Sequence, residues 1–172
     1  PYMRLMKYLW HPVLPYIPTV LAFLLVIPSV ANWKILGGSA IFPLIPCIMT
    51  YYWSVYSPRH FPKLVVFTLG LWHDLLLAQP VGITSLLLLL IWWIVVRQRE
   101  ALARQPFWII WLGFFIVQTL YLVADWSIVS IYFWRAMEWE HALLQWGITF
   151  LLYPVIHGMC HPILYQLAEL EE

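Results

Sequence analysis

Six long apolar runs divide the chain, and short stretches of charged residues, proline and glycine separate them. A helix needs about 20 residues to cross a bilayer core of about 30 Å, and four of the runs meet or approach that length. Apolar runs without alternation argue against β-strands. The pattern therefore predicts an all-α polytopic membrane protein, a single integral domain over residues 1–172 with six transmembrane helices. We expect spans at residues 13–31, 36–56, 64–78, 81–96, 107–124 and 142–164.

The third and fourth runs are the shortest, and turn residues join them. Gln79-Pro80 and Val81-Gly82 stand between the two runs, a composition that is typical of turns. We predict a tight helical hairpin that stops short of the far membrane surface. A hairpin that spans the membrane and one that re-enters it preserve the same orientation of the flanking segments, so both interpretations stay open.

Composition agrees with a membrane protein and argues against a soluble domain, a nucleic-acid-binding protein and a disulfide-rich protein. Of the 172 residues, 63% are hydrophobic and 10% are charged, whereas about a quarter of residues are charged in soluble domains. A formal net charge of +1 offers no electrostatic basis for nucleic-acid binding. The two cysteines, Cys47 and Cys160, lie within apolar runs and make no disulfide framework.

Basic residues set the predicted orientation. With a cytoplasmic N-terminus, Lys34 and Arg135 fall outside and the other seven lysines and arginines fall on the cytoplasmic side. The positive-inside rule describes this asymmetry, and six spans return the C-terminus to the cytoplasm. The cytoplasmic set is Arg4, Lys7, Arg59, Lys63, Arg97, Arg99 and Arg104.

The segment from Asp125 to His141 is the longest connector, and it is rich in aromatic residues. Two interpretations stay open: an outer helix that lies in the membrane interface, or an extension of the two flanking helices. The aromatic residues of this segment are candidates for partner binding, because large rings contribute much of the energy of protein contacts. These candidates are Trp126, Tyr132, Phe133 and Trp134.

Asp74 is the acid that the pattern places deepest in the membrane. It lies 11 residues beyond Lys63, which is roughly 16 Å along a helix. A carboxylate near the bilayer centre costs about 3 kcal/mol or more, so it should face the protein interior. Gly70 and Ala78, one turn away on either side, form with Asp74 a stripe that lets another backbone approach closely.

A partner for this carboxylate is expected at the same depth in another helix. Gln118 lies 11 residues beyond Phe107 in the fifth run, so we predict a hydrogen bond between Asp74 and Gln118, with Thr119 as the alternative. The competing interpretation makes Asp74 a proton relay or a substrate ligand. The lack of a second acid or a lysine at that depth favours a structural tie. His73 faces another side of the helix, because adjacent residues do not face each other.

His157, Cys160 and His161 form an H-x-x-C-H pattern near the end of the last run, and their spacing places all three on one side of a helix. A zinc or copper ion would need further ligands from elsewhere, so we expect packing or interfacial roles and predict no metal and no cofactor. The chain also lacks G-x-S-x-G, H-E-x-x-H and Gly-rich phosphate-loop motifs, and we predict that it is not an enzyme.

Several segments, taken in order, resemble one family of bacterial membrane proteins. The segments YWSVYSPR (52–59), LGLWHDLL (69–76), QPVG (79–82), QPFWIIWLGF (105–114) and LYP (152–154) are similar to the rod shape-determining MreD family, especially its alphaproteobacterial members. Many members separate the proline and arginine and follow them with glycine, whereas this chain continues with His60-Phe61-Pro62. The residues of the family-like motif are Pro58, Arg59, Gly70, Asp74, Pro80 and Gly82.

The resemblance implies a small, non-catalytic, multi-pass protein of the bacterial inner membrane that belongs to the cell-elongation machinery. It implies MreC as the direct partner, with the MreB filament, the glycosyltransferase RodA and its penicillin-binding transpeptidase in the wider complex, and membrane lipid around the helices. The implied fold is similar to the six-helix substrate-binding component of energy-coupling vitamin transporters.

Three functions follow from these observations. The first is a scaffold that binds MreC and helps to organise lateral peptidoglycan synthesis. The second is a small-molecule-binding component of a vitamin-type transporter, although Ala22 and Ala31 do not match the Ala-x-x-x-Ala stripe that such components often carry. The third is an intramembrane enzyme or proton-coupled carrier built on Asp74.

Overall fold

A computed structural model describes residues 14–30, 42–134 and 139–171 of the chain. Within these ranges the regular structure is helical and contains no β-strand, as the sequence predicts. A 3-10 turn, Leu14–Tyr16, leads into the first helix. The helices are α1 (Ile17–Val30), α2 (Ile45–Tyr56), α3 (Lys63–Leu77), α4 (Ile83–Leu102), α5 (Phe107–Phe133) and α6 (Trp139–Glu171).

Two of these helices, α5 and α6, are long and apolar enough to cross a membrane by length and composition, and Leu14–Pro28 forms a shorter apolar helix. Both long helices continue beyond the predicted spans at 107–124 and 142–164. The segment from Asp125 to Phe133 contains neither proline nor glycine, so nothing in the backbone ends α5 at its first charged residue, Asp125. α4 likewise continues past the predicted end at residue 96.

Part of the predicted topology lies outside the described residues. This applies to residues 36–41 at the start of the second predicted span and to residues 135–138 of the long connector. It also applies to five residues named above, which are Arg4, Lys7, Ala31, Lys34 and Arg135.

Prolines mark the start of three helices. Pro62 precedes α3, Pro106 precedes α5, and Pro46 stands in the first turn of α2. Proline fits there because the amide hydrogen that it lacks would have no partner in a first helical turn. Pro154 and Pro162 instead lie inside α6.

Helix α2 is the centre of the bundle. It contacts each of the other five described helices, and every residue from Ile45 to Val55 is buried. A helix that is apolar or aromatic on all sides has no face suited to water, so it is stable where other helices surround it. The hydroxyl of Tyr51 donates to the carbonyl oxygen of Ile110 at 2.8 Å and ties this central helix to α5.

An aromatic seam joins α5 to α6. The rings of Trp111 and Phe150 stack with centroids 4.6 Å apart, and the Trp111 indole donates to the Phe150 carbonyl oxygen at 3.2 Å. One turn further along the seam, Phe115 meets Trp146 edge to face at 4.9 Å. Stacked and edge-to-face pairs of this kind add stability beyond the area that they bury.

Helices α3 and α4 form the predicted hairpin, and their backbones approach closely at Gly70. A Cβ atom on Gly70 would lie 2.5 Å from the Cα atom of Ser85. The Ser85 hydroxyl donates to the carbonyl oxygen of Phe67 at 3.0 Å, which fixes the two helices at this separation. Glycine is therefore required at position 70 by the space available.

We expect Gly70→Ala to lower the free energy of unfolding by about 1–3 kcal/mol, because the neighbouring atoms are backbone and cannot rotate away. Gly158→Ala is the matched control, since no atom lies within 4 Å of a Cβ added there. That variant should gain roughly 0.5–1 kcal/mol from helix propensity. Unfolding in detergent, followed by circular dichroism, measures both, and equal stabilities for the two variants would contradict the close approach.

Candidate functional site

Asp74 lies in the last turn of α3, and its carboxylate reaches the start of α4. The residue is completely buried, and its Oδ2 atom accepts a hydrogen bond from the Gly82 amide at 2.7 Å. Gly82 has a φ of 105°, a conformation that glycine adopts without strain. The N-terminus of α4 carries the positive end of the helix dipole, which stabilises a nearby carboxylate. Asp74 therefore closes the hairpin.

The backbone of Asp74 takes part in the same turn. Its carbonyl oxygen accepts from the Gln79 amide at 3.0 Å, and the Leu75 carbonyl oxygen accepts from the Ala78 amide at 3.4 Å. This is the Schellman arrangement that commonly ends a helix. Ala78 adopts a φ of 51°, which costs a residue with a side chain about 1 kcal/mol or more. Main chain and side chain of Asp74 together hold the turn.

The predicted hydrogen bond between Asp74 and Gln118 is not formed. The Gln118 side-chain amide donates to the carbonyl oxygen of Trp146 at 3.4 Å. The Thr119 hydroxyl accepts from the Trp146 indole at 3.0 Å. Both residues therefore tie α5 to α6. The prediction used depth along the helices, which does not say which side a residue faces. Asp74 instead accepts from the Gly82 amide at the start of α4, where backbone amides have no partner within the helix.

A second acid, Asp125, comes into the region of Asp74, and the sequence analysis missed it. Tyr121, one turn before Asp125 on α5, donates its hydroxyl to the Thr84 hydroxyl at 3.4 Å. Thr84 is in the first turn of α4, two residues after the Gly82 that Asp74 binds. Asp74, Asp125 and Tyr121 interact electrostatically. Asp74 therefore has another acid near it in the fold, although none lies near it in the sequence.

Helical spacing is the signal that locates Asp125. Gln118, Tyr121 and Asp125 are three and four residues apart, so they lie on one face of a continuous helix. Phe114 and Val129 extend the same face, and both are buried. Ending the fifth span at residue 124 assigned Asp125 to the connector and hid this relation.

Several buried polar atoms have no hydrogen-bond partner within the described part of the chain. Near the hairpin these are Asp74 Oδ1 and His73 Nδ1, and on α2 they include Thr50 Oγ1, Trp53 Nε1 and Ser54 Oγ. Such an atom costs roughly 1–3 kcal/mol when buried. Other hydroxyls of the bundle, such as those of Thr68, Thr119 and Ser127, donate to a carbonyl of their own helix.

His157 is part of α6 and contacts the end of α2. Its Nε2 atom is hydrogen-bonded to the Tyr56 hydroxyl at 3.3 Å, and its ring stacks on that of His161 at 5.2 Å. Cys160 is a buried free thiol. Among the described residues, no group of three or more His, Cys, Asp or Glu side chains could hold a metal ion. The contacts of His157 are thus packing and hydrogen bonding between the two helices.

The C-terminal end of α5 presents the aromatic residues that the sequence singles out. Trp134 is 94% exposed, Tyr132 62%, Phe133 57% and Trp126 38%. Helix α5 continues unbroken to Phe133 and α6 begins at Trp139, so the connector extends its flanking helices as far as the structure describes it. We call Trp126, Tyr132, Phe133 and Trp134 the aromatic end of α5.

The six residues of the family-like motif fall at two places. One group lies in the hairpin and its turn, and the other lies in the loop at residues 57–62, at the opposite end of α3. The hairpin group is Gly70, Asp74, Pro80 and Gly82, and the loop group is Pro58 and Arg59.

No family model, no curated protein and no solved structure matches the chain. The contacts of its own residues are therefore what bears on its function.

We expect Asp74→Leu to lower the free energy of unfolding by about 1–3 kcal/mol, because it removes the acceptor for the Gly82 amide. Asp74→Asn keeps an oxygen at that position and should stay close to the parent protein. Glu100→Leu, which changes an exposed acid on α4, serves as the control. Thermal unfolding in detergent distinguishes them, and a stable Asp74→Leu protein would show that the bond does not hold the hairpin.

Proposed function

We propose that the chain is a non-catalytic scaffold of the cell-elongation complex, an MreD-like protein that binds MreC and helps to organise lateral peptidoglycan synthesis. The segments that resemble the MreD family support this proposal. The observation that carries it is the aromatic end of α5, which presents four large rings within nine residues. The MreB filament, RodA and its penicillin-binding transpeptidase are the proposed members of the wider complex.

Exposed aromatic residues at a helix end suit a protein partner. Trp and Tyr offer a large contact area with few rotatable bonds, and they are enriched among the residues that dominate binding energy. Trp and Tyr are also enriched where a helix meets the membrane interface. Trp134 lies just beyond the last residue of α5 and is almost fully exposed, so its ring is available for burial against another chain.

An apolar stripe on α5 leads up to this aromatic end. Leu112, Ile116, Leu120 and Val123 are each more than half exposed, and their spacing of three or four residues aligns them on one face. Within a membrane, such a face packs against lipid or against another helix. We assign the membrane anchor of MreC to this stripe, next to the aromatic end.

The proposal includes six membrane spans, with both termini in the cytoplasm of a bacterial cell. Helix α3 has 15 residues, about 22 Å of helix, which is less than the core of about 30 Å. Together with α4 it makes the third and fourth spans, a short hairpin that the bilayer accommodates by thinning locally. The basic residues of the described loops lie at the other end of that hairpin, in agreement with the positive-inside rule.

We expect Trp134→Ala to weaken the MreC complex by about 2 kcal/mol, roughly thirty-fold in Kd, since a ring at an interface centre contributes that much. Trp108→Ala is the matched control, because Trp108 is 62% exposed at the opposite end of α5. MreC that co-purifies from membranes, followed by a titration of the two purified proteins, measures the effect. Failure of MreC to co-purify with the parent chain would overturn the proposal.

A second candidate, a small-molecule-binding component of a vitamin-type transporter, is favoured by one observation. The unpartnered polar atoms of Thr50, Trp53 and Ser54 all lie on the central helix, where a polar ligand would satisfy them.

If that function is correct, mass spectrometry of the denatured pure protein should reveal a stoichiometric small molecule. Ser54→Ala should lower its occupancy, whereas Ser127→Ala should not, because the Ser127 hydroxyl already donates to Val123. A ligand-free parent protein would exclude this candidate.

A further inference from the structure

Three helices meet at His157. Its Nε2 atom is hydrogen-bonded at 3.3 Å to the hydroxyl of Tyr56, the last residue of α2. The rings of Tyr52 on α2 and Phe107 at the start of α5 meet the imidazole edge to face, with centroids 5.4 Å and 4.8 Å away. His157 therefore joins α6 to the end of α2 and to the beginning of α5.

His161 lies one turn further along α6 and stacks on His157. The two ring centroids are 5.2 Å apart, and the ring planes differ by 26°. One further turn on, Tyr165 meets His161 edge to face at 4.8 Å. Both imidazoles are partly exposed, so neither is sealed inside the bundle. We call His157 and His161 the histidine pair.

Two prolines flank the histidine pair within α6. Pro154 and Pro162 each leave the carbonyl four residues earlier without its helical donor. The carbonyl that Pro154 frees belongs to Phe150, and it accepts from the Trp111 indole at 3.2 Å, so α5 compensates for that loss. The carbonyl that Pro162 frees belongs to Gly158, where no atom lies within 4 Å of an added Cβ. The helix is thus braced near the first proline and weakened before the second.

The turn at residues 158–162 is the part of α6 that Pro162 weakens, and His161 lies inside it. His157 lies just before this turn, so a bend there moves the two imidazoles apart. From Pro162 to Glu169, Leu167 is the one buried residue. The contact of the histidine pair is therefore a substantial part of what keeps the end of α6 in place.

The described side chains in contact with the histidine pair are aromatic, and none of them is charged at about pH 6.5, where histidine ordinarily titrates. They are Tyr52 and Tyr56 of α2, Phe107 of α5, and Tyr153 and Tyr165 of α6. The buried Cys160 thiol interacts with Tyr52. The turn before α1 also contacts α6 and supplies the exposed Tyr16.

The charged residues that lie closest to this cluster along the sequence do not balance a second positive charge on it. Arg59 follows Tyr56 by three residues and Arg104 precedes Phe107 by three, and both are basic. The acids are Glu169, eight residues beyond His161, and then Glu171. Eight residues of helix correspond to about 12 Å, a distance at which exposed charges are largely screened.

We propose that the histidine pair is a pH-sensitive contact that holds the end of α6, residues 162–171, against α2 and α5. When both imidazoles carry a proton, two positive charges lie 5.2 Å apart, and they repel each other in surroundings of low dielectric constant. Mild acidification therefore favours the state in which the turn at 158–162 opens and the rings separate. The contact does not depend on the scaffold function proposed above.

The test uses hydrogen–deuterium exchange of the purified full chain in detergent, at about pH 7.5 and about pH 5.5, corrected for the intrinsic pH dependence of exchange. Amides of residues 163–171 should exchange about ten-fold faster at the lower pH, the change in the open-to-closed ratio that one pH unit of linked protonation produces. His161→Gln and His157→Gln each remove one charge and should abolish this difference. His60→Gln is the matched control, because His60 is bonded to Ser57 in the loop after α2, and it should keep the difference.

Three results would overturn the proposal. Exchange at residues 163–171 that is the same at both pH values in the parent chain would show that the contact does not respond to protons. A pH difference that persists in His161→Gln would assign the response to other groups. An equal increase along all helices would indicate general loss of structure at low pH. Because His161 is partly exposed, His161→Gln should melt with the parent at about pH 7.5, so this variant decides the matter even if His157→Gln does not fold.

Discussion

The hydrogen bond from the Gly82 amide to the Asp74 carboxylate sets the direction in which α4 leaves the hairpin, and the contacts of α4 organise much of the bundle. At its start, Thr84 binds Tyr121 of α5. In its second half, Trp92 holds the loop before α3. In an apolar environment a buried carboxylate is stable only where donors are fixed beside it, so the same residue that costs free energy to bury also specifies the turn.

Polar groups inside the bundle mostly connect one helix to another. The Leu44 backbone amide donates to the Thr149 hydroxyl at 3.0 Å, and the Gln145 side-chain amide donates to the Phe42 carbonyl oxygen at 2.7 Å. Both bonds join the start of α2 to α6. These bonds give direction to contacts that apolar packing alone leaves non-directional. The central helix is different, because several of its buried polar atoms are unpartnered in the described chain, and this difference is the reason for considering an internal ligand.

The aromatic end of α5 offers large rings to a protein partner. The sequence interpretation gave Asp74 a purely structural role because it recognised no second acid near it. In the folded bundle Asp125 is such an acid. The hydrogen bond to Gly82 still accounts for one carboxylate oxygen of Asp74.

The sequence by itself determined the helical class, the hairpin and the importance of Gly70 and Asp74, because apolar run length, proline, glycine and a buried charge act through local physics. It did not determine how far α5 extends past Asp125, since no helix-breaking residue marks the end of the predicted span. It also could not assign Gln118 to Trp146 or bring Phe61 against Trp92. Those contacts depend on how each helix is rotated about its axis, and only the simultaneous packing of all neighbours decides that rotation.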